Sequence, residues 1–285
     1  MKLISYMNPR TSQAAWGIVV GDDKVIDGVE LTRGRFRTLR DALGADALAE
    51  LGSIDLEKHA AQDLQSLTLL PVIPDPGKIL CIGLNYEEHR LETKRPVTGQ
   101  PTIFMRGASS QIGHGQDIDI PKESHMVDYE GEIAIVIGKP GRHIEEAQAW
   151  EHIAGYAPYN DVSVRDWQNH TSQWTPGKNF DATGGFGPWL TTRDEISDGA
   201  ELTLITRLNG AVMQQATTAQ LIFSIPRLIS YISTFATLEC GDVIVTGTPG
   251  GVGFKRTPPV FLQAGDRVEV EIQGIATLVN GCRAA

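Results

Sequence analysis

The chain has 285 residues, of which 41% are hydrophobic and 21% charged, proportions that suit a globular protein and argue against extensive disorder. A net charge of −10 with no Lys/Arg stripe speaks against a nucleic-acid partner, and no apolar run approaches the roughly 18 residues that span a bilayer. The opening Met-Lys-Leu-Ile-Ser-Tyr-Met is too short and polar for a secretory signal core. Cys81, Cys240 and Cys282 are far apart with no CxxC pair, which fits reduced thiols in a cytoplasmic protein rather than a disulfide framework or a thiolate metal site.

Residues 1–70 read as a small α+β domain. Trp16 to Ile26 looks like a hairpin turning at Gly21-Asp22-Asp23, and Thr38 to Leu51 has helical spacing with Thr38 as N-cap. The run Pro71-Val72-Ile73-Pro74-Asp75-Pro76-Gly77 precludes regular structure and marks a linker into a second domain, 71–285. From there the chain is mainly β. Lys78 to Gly83 is a short apolar strand, and Glu130 to Gly138 is apolar on both faces and therefore central. Leu202 to Gln214 reads as a hairpin through Asn209-Gly210. Arg267 to Ile272 alternates, with Val268, Val270 and Ile272 on one face. One amphipathic helix is expected from Pro226 to about Leu238, with Leu228, Ile229, Ile232 and Phe235 as its stripe and Gly241 past its end.

The most informative stretch is Asp128-Tyr129-Glu130-Gly131-Glu132. On a strand, Glu130 and Glu132 point the same way, in line with Ala134 and Val136. Two carboxylates entering an apolar strand repel each other and lose solvation; a hard cation such as Mg²⁺ or Mn²⁺ resolves both problems. Alternatively they lie in solvent at a frayed strand start or pair with arginines. Asp161, in Asn160-Asp161-Val162-Ser163-Val164-Arg165-Asp166, falls at a strand end or helix start, where it could complete a metal site or serve as an N-cap. In Gly83-Leu84-Asn85-Tyr86-Glu87-Glu88-His89-Arg90-Leu91-Glu92, His89 and Glu92 share a helix face. A carboxylate that orients imidazole makes a base, although such a segment could equally be a solvated helix face. Two glycine-rich loops, Gly184–Pro188 and Gly247–Gly253, permit close backbone approach to a ligand or simply turn the chain. Neither matches a nucleotide-binding fingerprint.

In this order the segments resemble the fumarylacetoacetate hydrolase family, over roughly residues 75–280. The resemblance implies a β-rich α+β fold, the family's mixed β-sandwich roll, preceded by a small amino-terminal domain and assembled as a homodimer. It implies Glu130, Glu132 and Asp161 as ligands of Mg²⁺ or Mn²⁺, with Ca²⁺ as a substitute. His89 and Glu92 match the family's dyad, on a segment that often acts as a lid. Lys178 matches the lysine that contacts substrate oxygens, and Thr248, with Gly247, the substrate-binding glycine loop. Arg106 sits where some members place a basic residue that contacts substrate.

The expected substrate is a small 2-oxo acid, and a bound cation would offset the chain's negative charge. The leading expectation is a hydrolase that cleaves the C–C bond of an acylpyruvate or fumarylpyruvate-like acid. A lyase or isomerase is the alternative, either an oxaloacetate decarboxylase or a keto–enol isomerase of a ring-cleavage product. A third reading is a non-catalytic module whose carboxylates hold a structural Ca²⁺.

Overall fold

The computed structural model describes residues 1–285. It is β-rich with few and short helices. The largest sheet has thirteen strands, running in order Ala61–Asp63, Lys24–Asp27, Ala14–Val20, Lys2–Met7, Leu190–Thr192, Ile153–Asp161, Gly131–Ile137, Val243–Val245, Ile79–Gly83 and Thr102–Arg106, with three short strands off this path. A second sheet of five strands is built from Ala211–Thr217, Thr203–Leu208, Arg267–Ile272, Ala276–Ala284 and Ile118–Ile120. Both are mixed: Val243–Val245 runs parallel to Ile79–Gly83, whereas Gly131–Ile137 is antiparallel to both of its neighbours.

Gly131–Ile137 is buried along its whole length, as its two apolar faces predict. One face carries Ala134 and Val136 into a core shared with Leu3, Trp16, Leu39, Leu43 and Leu51. The other carries Ile133, Ile135 and Ile137 onto Leu228, Ile229 and Ile232, and onto Leu204, Val270 and Ile272 of the second sheet. The central sheet is therefore covered by the amino-terminal helices on one side and by a helix and a sheet on the other.

The amino-terminal hairpin forms, with Val20 opposite Lys24. The expected helix from Thr38 is shorter: it spans Leu39–Gly44 behind a Thr38–Asp41 capping box and breaks where Asp46 takes φ 52°. A second helix follows at Leu48–Gly52. The expected boundary at residues 70/71 runs through shared structure. Lys2–Met7 pairs with Leu190–Thr192, and Val72 and Ile73 of the proline-rich run are fully buried in the common core. The later hairpin turns at Asn209-Gly210, both with positive φ. The amphipathic helix is Ile225–Phe235, but Phe235 is 54% exposed and Ser233 takes its expected place on the buried face.

Candidate active site and metal centre

Glu130 precedes Gly131–Ile137, and Asp161 ends the neighbouring strand Ile153–Asp161. Gly131 pairs with Asn160 and Glu132 with Tyr159, and the Asp161 N–H donates to the Glu130 carbonyl at 2.8 Å. This register puts Glu130, Glu132 and Asp161 on one face of two adjacent strands. All three are buried, and one carboxylate oxygen from each lies within 4.8 Å of the others. Gly131 turns to the opposite face against Thr206, where no side chain would fit. Asp161 is thus a strand-end residue and not a helix cap; the helix Arg165–Gln168 begins after Val164.

Three buried cations surround the carboxylates. Lys178 Nζ lies 2.6 Å from Glu130 Oε2 and 2.5 Å from Asp161 Oδ2. Arg165 bridges Glu130 Oε1 at 2.6 Å and Asp128 Oδ2 at 2.8 Å. Arg106 donates to Asp161 Oδ1 at 2.6 Å, to the Val162 carbonyl, and to Thr183 and Ser110. Arg106 is buried and not among the residues that line the cavity; its guanidinium is shared among Asp161, the Val162 carbonyl, Thr183 and Ser110, and one of its nitrogens orients Asp161. Arg165 and Asp128 lie inside quoted motifs, yet sequence reasoning gave them no role. The only cue was an arginine four residues beyond Asp161.

These neighbours separate the carboxylates electrostatically. Burial pushes the Glu130 carboxyl up, but Arg165 and then Lys178 outweigh it and hold the group at about 2. Burial, then Asp161 and Glu130, pushes Glu132 well above the usual carboxylate range. No cationic side chain pairs with Glu132; its Oε2 accepts from the Gly247 N–H at 2.5 Å. The buried Tyr86 hydroxyl, whose pKa burial and then Glu132 push up, has no hydrogen-bond partner. Four carboxyl groups, Asp128, Glu130, Glu132 and Asp161, face three cations, Arg106, Arg165 and Lys178, so full ionisation would leave one negative charge without a partner. That donor set fits a hard divalent cation held by Glu130, Glu132 and Asp161.

The glycine loop after Val243–Val245 clamps the site with backbone N–H groups. Gly247 donates to Glu132, Gly251 to Glu92 at 3.1 Å, and Gly253 and Phe254 to Asp128 at 2.8 and 3.0 Å. Gly247 and Gly251 take φ values of 108° and 97°, conformations that favour glycine. Thr248 Oγ1 donates to the Gly131 carbonyl at 2.9 Å and accepts from Gln214 at 2.8 Å. The other glycine-rich stretch is no loop. Gly184–Phe186 is a strand beside Ile153–Asp161, whose glycines make room for Gln111 and Asn280.

His89 lies on the helix Glu87–Glu92 and is 5% exposed, which a solvated helix face would not give. Its Nδ1 is 2.7 Å from Glu92 Oε1. Asn85 anchors the segment by donating to the Thr246 and Phe223 carbonyls and accepting from the Phe223 N–H. His89, Glu130, Glu132, Lys178 and Thr248 all line one cavity of about 210 Å³, together with Arg165, Phe104, Trp174 and Phe254.

Residues 78–283 match the family described as fumarylacetoacetate (FAA) hydrolase, C-terminal. The chain is 45% identical, over 84% of its length and 75% of the relative's, to a mitochondrial oxaloacetate tautomerase, fahd2, of Xenopus laevis. Its structure resembles a fumarylacetoacetate hydrolase of Exiguobacterium antarcticum, with a TM-score of 0.87, 31% identity and full coverage of both chains. It also resembles maleylpyruvate hydrolase of Sphingobium sp. SYK-6, solved with manganese(II) and pyruvate, with a TM-score of 0.83, 27% identity and full coverage of both chains. Family match, shared fold and identity agree: the chain belongs to the fumarylacetoacetate hydrolase family.

Proposed function

We propose that the chain is a divalent-metal-dependent enzyme that interconverts the keto and enol forms of a small 2-oxo acid, with oxaloacetate as the first substrate to test. The observation that carries this reading is a base and a buried ammonium in one cavity: His89, fixed by Glu92, and Lys178, set on the acidic triad. Enolisation needs those two groups, one at carbon and one at oxygen. The relative named oxaloacetate tautomerase supports it, and so does a cavity of about 210 Å³, suited to a small acid.

Glu92 accepts from His89 Nδ1–H, which leaves Nε2 with its lone pair. Nε2 takes a proton from the carbon beside the 2-oxo group. The C–H pair becomes the C=C bond, and the carbonyl π pair moves to oxygen, where Lys178 donates. Lys178 passes a proton to that oxygen to complete the enol, and the proton on His89 leaves to solvent as Lys178 regains one, so no net proton is gained or lost. A Mg²⁺ or Mn²⁺ ion held by Glu130, Glu132 and Asp161 would supply a Lewis acid toward the 2-oxo-acid oxygens. Arg106 and Arg165 hold Asp161 and Glu130 in place, and Thr248 lines the cavity with its hydroxyl fixed between the Gly131 carbonyl and Gln214.

Hydrolysis of an acylpyruvate is the second reading, favoured by the oriented His89 and by the maleylpyruvate hydrolase neighbour. There Nε2 would deprotonate a water that attacks the distal carbonyl. The test is Mn²⁺-loaded protein with keto oxaloacetate in D₂O, followed by exchange at C3 and by enol absorbance, beside an acylpyruvate assayed for cleavage products. Accelerated exchange supports the tautomerase. Cleavage without exchange would replace it with the hydrolase.

A further inference from the structure

The cavity wall reverses the sign of the chain. Two carboxylates line it, Glu130 and Glu132, against four cationic side chains, Arg95, Arg165, Lys178 and Lys255. Arg165 and Lys178 are committed to carboxylates within 2.8 Å. Lys255 and Arg95 are not: both are exposed, and neither side chain makes an ion pair or hydrogen bond. In a protein with 35 acidic residues against 25 basic, two unpaired cations on one small cavity call for a reason.

Phe254 supplies the link. Its ring lies 4.2 Å from the Arg165 guanidinium and 4.6 Å from the Lys255 ammonium, while its own N–H is tied to Asp128. The aromatic face steadies Lys255 without neutralising it. A carboxylate partner would cancel the charge; a ring leaves it open to an anion. The inner cations and the acidic triad account for one end of a 2-oxo acid, and Lys255, exposed where Arg165 and Lys178 are buried, lines the same cavity.

We propose that Lys255, assisted by Arg95, binds the second carboxylate of the substrate, so that the site selects dicarboxylic 2-oxo acids over those with an uncharged distal group. The inference rests on the reading of the site as one for 2-oxo acids, and it adds residues and a substrate class to it. Both charges are at the surface, so the contact is salt-sensitive, and ionised partners strengthen each hydrogen bond made there.

The test separates binding from turnover. Calorimetry on Mn²⁺-loaded protein measures 3,3-difluoro-oxaloacetate, which cannot enolise, against its 4-methyl ester. The parent should bind the diacid on the order of tenfold more tightly than the ester, a gap that narrows as salt rises. K255M should lose most of that gap, K255R should keep it, and K255E should reverse it. Circular dichroism and melting of each variant check that the fold persists. Equal affinity for acid and ester in the parent, or an unchanged gap in K255M and K255E, overturns the inference. No binding of either ligand overturns it together with the 2-oxo-acid reading. If the gap behaves as expected while oxaloacetate is not enolised, the reaction reading falls and the recognition of a second carboxylate stands.

Discussion

The Gly251 N–H donates to Glu92 Oε2 at 3.1 Å, while the other oxygen of the same carboxylate holds His89 Nδ1 at 2.7 Å. One side chain thus fixes the base and ties its short helix to the loop that carries Thr248. Replacing His89 with Ala should lower enolisation by about 10²–10⁴-fold, the range for a positioned general base. Glu92→Gln should follow it and also loosen the loop, raising KM. Stopped-flow enol absorbance reads both; an intact rate in H89A would remove the residue from the chemistry.

Removal of divalent metal by exhaustive chelation should abolish turnover, and Mg²⁺ or Mn²⁺ should restore it. A readout independent of activity comes from melting. A cation at 100 times its dissociation constant adds about 2.7 kcal/mol to the folded state. Glu132→Gln should cancel that gain without lowering the Tm of the metal-free protein, because Glu132 is the least compensated charge in the cluster. A cation-induced Tm rise that survives in both Glu132→Gln and Asp161→Ala would place the ion elsewhere.

Lys178 is fully enclosed and pairs with two of the three acidic residues, so its ammonium is held protonated: burial works against the charge, but Asp161 and Glu130 outweigh it. Lys178→Met should reduce kcat by roughly 10²-fold or more, the scale of losing one donor to a developing oxyanion. A loss confined to KM would make it a binder of ground and transition state alike.

Strand periodicity alone put Glu130 and Glu132 on one face, because two residues two apart on a strand must share it; that Asp161 belongs with them came from the family resemblance. What joined them was register, and no single strand encodes its partner. The burial of Arg106 was not legible, because it depends on Asp161, Val162 and Thr183 meeting it from other segments. The Gly184–Phe186 strand read as a loop because its glycines answer to Gln111 and Asn280, far away in sequence. Phe235 fitted the helical stripe but falls in the last turn, beyond the layer that the helix packs against.

His114 provides a pH dependence away from the acidic cluster. Burial, with Arg267 nearby, depresses its pKa below the ordinary 6.5, and its Nδ1 accepts from the Val279 N–H at 3.1 Å, which requires the neutral ring. With the folded value below the unfolded one, its contribution is whole above 6.5 and is lost as pH falls through the folded value. Urea midpoints should therefore decline as pH drops below 6.5, and His114→Gln should flatten that decline. A parent midpoint that holds steady through the window, or an equal slope in the variant, would remove His114 as the cause.

Residues 1–70 should be unable to leave the rest of the chain without unfolding it. They add strands to the sheet that carries Glu132 and Asp161, and they supply Leu3, Trp16, Ile18, Leu39, Leu43 and Leu51 to the core against Ala134, Val136, Ala157 and Val245. Deletion would bare the unpaired edge of Leu190–Thr192 and one whole face of the central strands, a patch that invites aggregation. A subtler variant samples the same contact. Leu39→Ala, fully buried and remote from the cavity lining, should cost about 2–5 kcal/mol and lower the Tm with little change in KM. The chain 71–285 expressed alone should aggregate or lack near-ultraviolet dichroism. If it melts cooperatively as a monomer and still shows a cation-induced Tm rise, the first 70 residues are a separable domain after all, and the shared core contributes less than its burial implies.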